Sequence, residues 1–288
     1  QSECRAADHL QCIKYDLCQG SEAIVTAVKE AEKKVKAPKL YDLTTLQREA
    51  NRIYGMTAKQ TLDTAQSLYE KKLITYPRTD SQYLTEDMEQ TARNVVRQIY
   101  EKYQLTGPFD QPEQPDVKKV MNNSKVTDHH AIIPTMELTS CHMDELKSWE
   151  EKILFLIAVH TVMAMSKDHI YQETEIEVEC QGEVFKTKGK TVLQDGWKIF
   201  ENCFKNKDRM AIADPDQEMK ERIPKVTKGQ TFYAVAAEKT EHFTSPPKPY
   251  SEDTLLAAME TAGNKEFDED TEKKGLGTPA TRAGIIEK

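Results

Sequence analysis

Near residue 170 the apolar residues of this chain stop recurring at the spacing of a helix and begin to alternate. That change of period constrains the fold strongly, because a helix face repeats every three or four residues and a strand face every two. Upstream, Leu43, Leu46, Ala50 and Ile53 fall at helical spacing, and Gly55 follows where a left-handed residue ends a helix. Thr57 has the side chain of an N-cap for a second helix that presents Leu62, Ala65, Leu68 and Tyr69 on one face. That helix runs out at Lys71 and Lys72, where cations suit a carboxyl end. A third is predicted from about Glu86 to Tyr103, closed by Thr106-Gly107-Pro108, and the two prolines in 110–116 mark a loop. The apolar run from Ile153 to Met165 contains His160 and is too short to span a bilayer, so Trp149 to Met165 reads as a buried helix.

Beyond Ile170, Thr174, Ile176, Val178 and Cys180 alternate with Glu173, Glu175, Glu177 and Glu179, a half-buried strand with one acidic face. Gln181-Gly182 is a turn, and Val184–Thr187, Thr191–Leu193 and Thr231–Ala237 continue the strand pattern. At the other end, Cys12–Cys18 can alternate as a strand, and Ser21 is placed to cap a short helix through Ala23, Ile24, Ala27 and Val28. Ser245–Tyr250, with three prolines, is an extended hinge, and Ser251 with Thr254 opens a further helix. The final segment, Gly275 to Lys288, runs off in what reads as mid-helix, as in a truncated chain. The pattern predicts an α+β protein.

With 288 residues, 38% hydrophobic and 31% charged, the chain is polar yet able to bury cores. A net charge of -8 argues against a protein that merely coats nucleic acid, although a locally basic groove is compatible with it. Six cysteines without a C-x-x-C pair suit thiols in a reducing cytoplasm better than a zinc module. No basic and apolar leader opens the sequence.

Three segments carry chemistry. In Leu73-Ile74-Thr75-Tyr76-Pro77-Arg78-Thr79-Asp80-Ser81, proline denies the next turn an N–H and holds the tyrosine in irregular backbone. A phenol able to attack phosphorus, a guanidinium two residues on and the hydroxyls of Thr79 and Ser81 together resemble a phosphoryl-transfer site. On spacing alone, a turn whose Thr79, Asp80 or Ser81 caps the next helix is the simpler account. In Asp128-His129-His130-Ala131-Ile132-Ile133-Pro134-Thr135, paired histidines beside an acid suit proton transfer more than a two-histidine metal site, and solvated loop histidines remain an alternative. In Gly275-Leu276-Gly277-Thr278-Pro279, with Thr281 and Arg282, a helix start could wrap a phosphate, or simply turn the chain.

Together the three resemble, in order, motifs of the type IA DNA topoisomerases, and most closely their topoisomerase III branch. Tyr41–Asn51, SPPKPYSEDTLLAAME (245–260) and 73–84 extend the likeness over about residues 38–288. The resemblance implies that Tyr76 is the nucleophile that joins the 5′ phosphate of one DNA strand. Arg78 matches the arginine that steadies the scissile phosphate, and His129 the motif histidine, with His130 beside it. Thr278, Thr281 and Arg282 match a segment that contacts single-stranded DNA, and His130, Thr79 and Ser81 are likewise expected to contact DNA. A helical domain (41–167) bearing Tyr76 is then inserted between halves of a β-rich arch (1–40 and 168–245), and 246–288 is the hinge and start of a following helical domain. The resemblance further implies a monomer in the cytoplasm, associated with the nucleoid and not with membrane. Its partners are single-stranded DNA and the rest of its own polypeptide. Mg²⁺ is expected in the full-length enzyme on an N-terminal domain with no counterpart here; Asp268-Glu269-Asp270 lies near the wrong motif. The chain alone is therefore not expected to relax DNA.

Two other classes fit less well. A tyrosine recombinase needs arginines and histidines spread around a C-terminal tyrosine, and a relaxase needs a histidine triad; neither pattern is present. An interaction module without chemistry would be indifferent to Tyr76→Phe.

Overall fold

The computed structural model describes residues 17–105, 115–200, 223–240, 242–263 and 275–288. The chain divides into two compact units. One comprises Gln1–Val35, His169–Asp195 and Ala213–Pro247, the other Lys36–Asp168, Gly196–Ile212 and Lys248–Lys288.

The first unit is an antiparallel sheet of β1 (Ala23–Val35), β2 (His169–Cys180), β3 (Glu183–Gln194) and β4 (Thr231–Phe232), in the order β3-β2-β1-β4. Gln181 and Gly182, at φ +51° and +82°, close the β2–β3 hairpin. Two consecutive left-handed residues give a turn whose twist matches that of the strands. The register sets Glu173, Glu175 and Glu177 opposite Lys190, Lys188 and Lys186. Lys186 and Lys29 both reach Glu177, at 2.7 and 3.7 Å, and solvent-exposed pairs of this kind add little to stability.

Two expectations change here. Ala23–Val28, read as a short helix capped by Ser21, is strand: Ala23 and Val25 bury alternately while β1 pairs with the distant β2. A capping Ser21 ahead of Ala23, Ile24, Ala27 and Val28 suits a helix locally, and long-range pairing overrides it. Of Thr231–Ala237 only Thr231–Phe232 is strand, and Ala234 turns at φ +53°. The strand expected at 12–18 lies mostly outside the described residues, and Leu17 and Cys18 form a helical turn.

The second unit contains α1 (Leu43–Tyr54), α2 (Ala58–Glu70), α3 (Glu89–Tyr103), α4 (Ser148–Ala164), α5 (Glu252–Thr261) and α6 (Pro279–Ile286). Asp42 caps α1 in a reciprocal box with Thr45, and Gly55 ends it at φ +67°. Thr57 and Gln60 form the equivalent box on α2. Helix α4 is buried on nearly all sides, with Ile153, Leu154, Phe155, Leu156, Ile157 and Val159 inside. Each such side chain contributes ~1.5–3 kcal/mol, which makes α4 the post of this unit. His160 fits that interior because its Nε2 donates to the Lys39 carbonyl (2.7 Å) and its ring stacks on Tyr41 at 3.7 Å. Burial holds it below the usual histidine range, although Glu49 and the Lys39 carbonyl pull the other way.

Between α3 and α4 the described chain is short 3₁₀ turns and isolated bridges, where the sequence pattern predicts a broadly helical zone. The described parts of 248–288, expected from sequence to start another domain, pack against α1 and α2. Arg48 pairs with Asp253 (2.7 Å), Glu252 accepts from the Ala58 N–H (2.6 Å), and Leu256 and Ala283 bury against Ala58.

Candidate active site at Tyr76

The segment bearing Tyr76 leaves α2 at a firmly held point. Glu150, 3% exposed at the start of α4, accepts from Ser67 Oγ (2.7 Å), Lys71 Nζ (2.6 Å) and the Lys147 N–H (2.9 Å). Burial alone would raise its carboxyl, but these donors outweigh it and hold the group at about 2. The next residue after Lys71, Lys72, sits at φ +61°, a conformation that ordinary side chains adopt at a cost. It is held because Thr135 donates its hydroxyl to the Lys72 carbonyl and its N–H to the Leu73 carbonyl.

From there the segment is stitched to the histidine-bearing one. Ile74 bridges Pro134, the Thr75 N–H donates to the Ile133 carbonyl (3.0 Å), and the Ile133 N–H donates to Thr75 Oγ1 (3.0 Å). Thr75 Oγ1 in turn donates to the Ala131 carbonyl (2.9 Å). Thr79 Oγ1 donates to the His129 carbonyl (3.1 Å) and accepts the Ser81 N–H (3.0 Å). Ser81 Oγ donates to the Lys125 carbonyl (2.8 Å) and accepts the Tyr83 N–H (3.2 Å). Two motifs some fifty residues apart are thus brought together by hydroxyls bonding to backbone.

These bonds correct the assignment of Thr79 and Ser81 to DNA. Both are buried, and their hydroxyls are engaged inside the protein. They are the stitches between the two segments.

Tyr76 itself lies in irregular backbone, half-buried. Its ring stands between Tyr69, edge-on at 5.4 Å, and His129, tilted at 4.3 Å. Among the described residues no hydrogen bond engages its hydroxyl, and no carboxylate pairs with the exposed Arg78. A phenol held by its ring and free at its oxygen, two residues before an uncommitted arginine, suits nucleophilic attack on a phosphate. His129 is exposed and joins Tyr76, whereas His130 spends Nδ1–H on the Ala131 carbonyl (2.9 Å). The sequence shows Tyr69 only as part of the apolar face of α2, since helical spacing says nothing of a partner in a later loop.

The third motif reaches the same locality through α1. Leu43 N–H donates to the Thr79 carbonyl (3.0 Å), and Arg282 Nη1 donates to Thr44 Oγ1 (3.0 Å). Arg282 is 3% exposed and also bonds the Leu276 carbonyl, so the structure gives it a bracing part in place of the DNA contact expected. Thr278 and Thr281 are exposed at the α6 N-terminus and cap it reciprocally, their hydroxyls 3.0 Å apart. Asp42, at the centre of this junction, is not singled out by the sequence motifs, although its spacing to Thr45 is that of a capping box. Burial raises its carboxyl, and hydrogen bonds from Thr45 and Gln82 oppose the rise.

The arrangement can be set beside known proteins. A family model described as DNA topoisomerase matches residues 1–288. DNA topoisomerase 3 of Bacillus licheniformis is 38% identical over 288 aligned residues, covering 94% of this chain and 37% of its own length. That of Bacillus subtilis is 39% identical over 282, covering 94% and 38%. The structure titled full-length topoisomerase I from Thermotoga maritima superposes with a TM-score of 0.66 at 24% identity, over 96% of this chain and 42% of that one, and it bears on the fold alone. The chain thus spans well under half the length of the relatives it matches.

Proposed function

This chain belongs to the type IA DNA topoisomerase family, among its topoisomerase III-like members, and from that premise we propose that Tyr76 is the residue that opens and reseals a DNA strand. The Tyr76 oxygen attacks a backbone phosphorus. The phenol gives up its proton, the P–O3′ bond breaks, and the departing 3′ oxygen takes up a proton. The 5′ phosphate is left esterified to Tyr76. One phosphodiester is exchanged for another, so the reverse attack by the 3′ hydroxyl reseals the strand without ATP. Arg78 neutralises the non-bridging oxygens. His129 braces the attacking ring. Strand passage follows from opening one strand, passing another and resealing.

The observation that carries this reading is the Tyr76 hydroxyl: uncommitted among the described residues, on a ring fixed by Tyr69 and His129. Single-stranded DNA is the proposed substrate, and the protein is placed as a monomer working in the cytoplasm on the nucleoid. No described helix is long and apolar enough to cross a membrane. Among the described residues no group of three or more His, Cys, Asp or Glu converges, and no step here runs through the ion. Asp268-Glu269-Asp270 lies outside the described residues. We assign Mg²⁺, and competence for the whole reaction, to a longer polypeptide of the relatives' size.

Strand polarity tests the reading. With this chain joined to the remaining portions of a relative, an oligonucleotide labelled at its 3′ end should leave its label on the protein after denaturation, and one labelled at its 5′ end should not. The opposite pattern excludes a 5′-phosphotyrosine.

A further inference from the structure

Seven residues beyond Tyr76, the same stitched segment presents Tyr83. Its backbone is fixed at both ends, N–H to Ser81 Oγ (3.2 Å) and carbonyl from the Ala131 N–H (2.9 Å). Over its half-buried ring stand two ammonium groups, Lys39 Nζ at 5.5 Å and Lys125 Nζ at 5.3 Å from the centroid. Both lysines are exposed, and both are anchored through their backbones: the Lys39 carbonyl accepts from His160, that of Lys125 from Ser81 Oγ. Among the described residues neither pairs with a carboxylate, although Asp80 and Asp128 lie exposed in the same two loops.

Such a pair is unusual in a chain of net charge -8, where sheet lysines such as Lys186 and Lys188 answer a glutamate. A ring attracts a cation to its face, and here one ring gathers two from different parts of the chain. Two like charges gathered at one ring repel each other, and an anion drawn to both relieves that repulsion. The chemistry that fits is a phosphodiester: singly negative, with two non-bridging oxygens able to meet two ammonium groups.

We propose that Lys39, Lys125 and Tyr83 form a phosphate seat for the DNA strand that reaches Tyr76, gripping its backbone away from the break. The proposal rests on the strand-cleavage reading for the identity of the strand. Seven residues of chain span at most ~25 Å, so seat and nucleophile lie within reach of one short single strand. Tyr83 acts by gathering the two cations, and the lysines meet the phosphate.

The test is binding of a fluorescent single-stranded oligonucleotide, followed by anisotropy across a salt series on a Tyr76→Phe background, where no adduct can form. Removing one lysine–phosphate interaction with a single strand flattens the slope of log affinity against log salt by about 0.7. K39Q/K125Q should therefore flatten it by about 1.4 and weaken binding roughly tenfold at low salt. Y83L, which keeps both charges and removes the ring that gathers them, should weaken binding about threefold. K186Q/K188Q removes the same charge from lysines already paired on the sheet, and should change neither quantity. An unaltered slope in K39Q/K125Q with unchanged thermal unfolding overturns the seat. So does an equal loss in K186Q/K188Q, or a parent chain that binds no single strand. Failure of the cleavage reading is separately visible: flattened slopes here, with no adduct from the Tyr76-bearing chain joined to the remaining portions of a relative, retain the seat and reject the nucleophile.

Discussion

Thr79 and Ser81 carry the hydroxyls a DNA-binding loop would offer, yet their oxygens face the protein. The difference is measurable. Thr79→Val keeps the shape but strands the His129 carbonyl and the Ser81 N–H in a buried place. The cost should be ~1–3 kcal/mol, read as a lower Tm. An unchanged Tm with weakened DNA binding would return Thr79 to the ligand-binding set. At this scale the sequence is informative about residue type and silent about direction. Tyr76, Arg78 and His129 can be named from motif order, whereas Arg282 looks like a phosphate ligand until its guanidinium is found bonded to Thr44 and Leu276.

Elements explain why Tyr76 is held where it is. Helix α2 is pinned to α4 by Glu150, whose carboxyl lies at about 2 against an ordinary 4.5. A depressed carboxyl contributes stability that is fully present above the unfolded value and is lost as pH falls through the folded one. Wild type should therefore lose on the order of 2–3 kcal/mol between about pH 5 and pH 2 through this group. Glu150→Gln should be less stable at neutral pH, and the gap should close on acidification. A gap independent of pH in chemical denaturation would contradict this. The third motif is pinned differently. Gly275 turns at φ +66°, and a β-carbon there would lie 2.4 Å from the carbonyl oxygens of Met259 and Glu260. Gly275→Ala should loosen 275–288 from α5, seen as faster amide exchange in α6 with α4 unaffected. Exchange unchanged in α6 would refute it. Helices α1, α2, α4 and α5 are readable because caps and apolar spacing are local. The ladder between 72–83 and 125–135 is not, since its partners are distant in sequence and many of its bonds run from side chain to backbone. The same limit turns β1 into an expected helix.

Over the molecule as a whole, the α+β class follows from the single change of period near residue 170. Every site residue named from sequence falls in the helical unit, and the sheet unit holds none of them. Motif order carries the family, a property no single segment has. What order cannot convey is the division of labour: His129 stands against the Tyr76 ring and Arg78 lies exposed, while Thr79, Ser81 and Arg282 are buried and bond within the protein. The most direct measurement is covalent trapping of labelled single-stranded DNA, with Mg²⁺, by this chain alone and joined to the remaining portions of the Bacillus subtilis relative, with and without Tyr76→Phe. The account predicts an adduct in the joined protein only, abolished by Tyr76→Phe. An adduct that survives Tyr76→Phe, or none in a folded, joined protein, would contradict it.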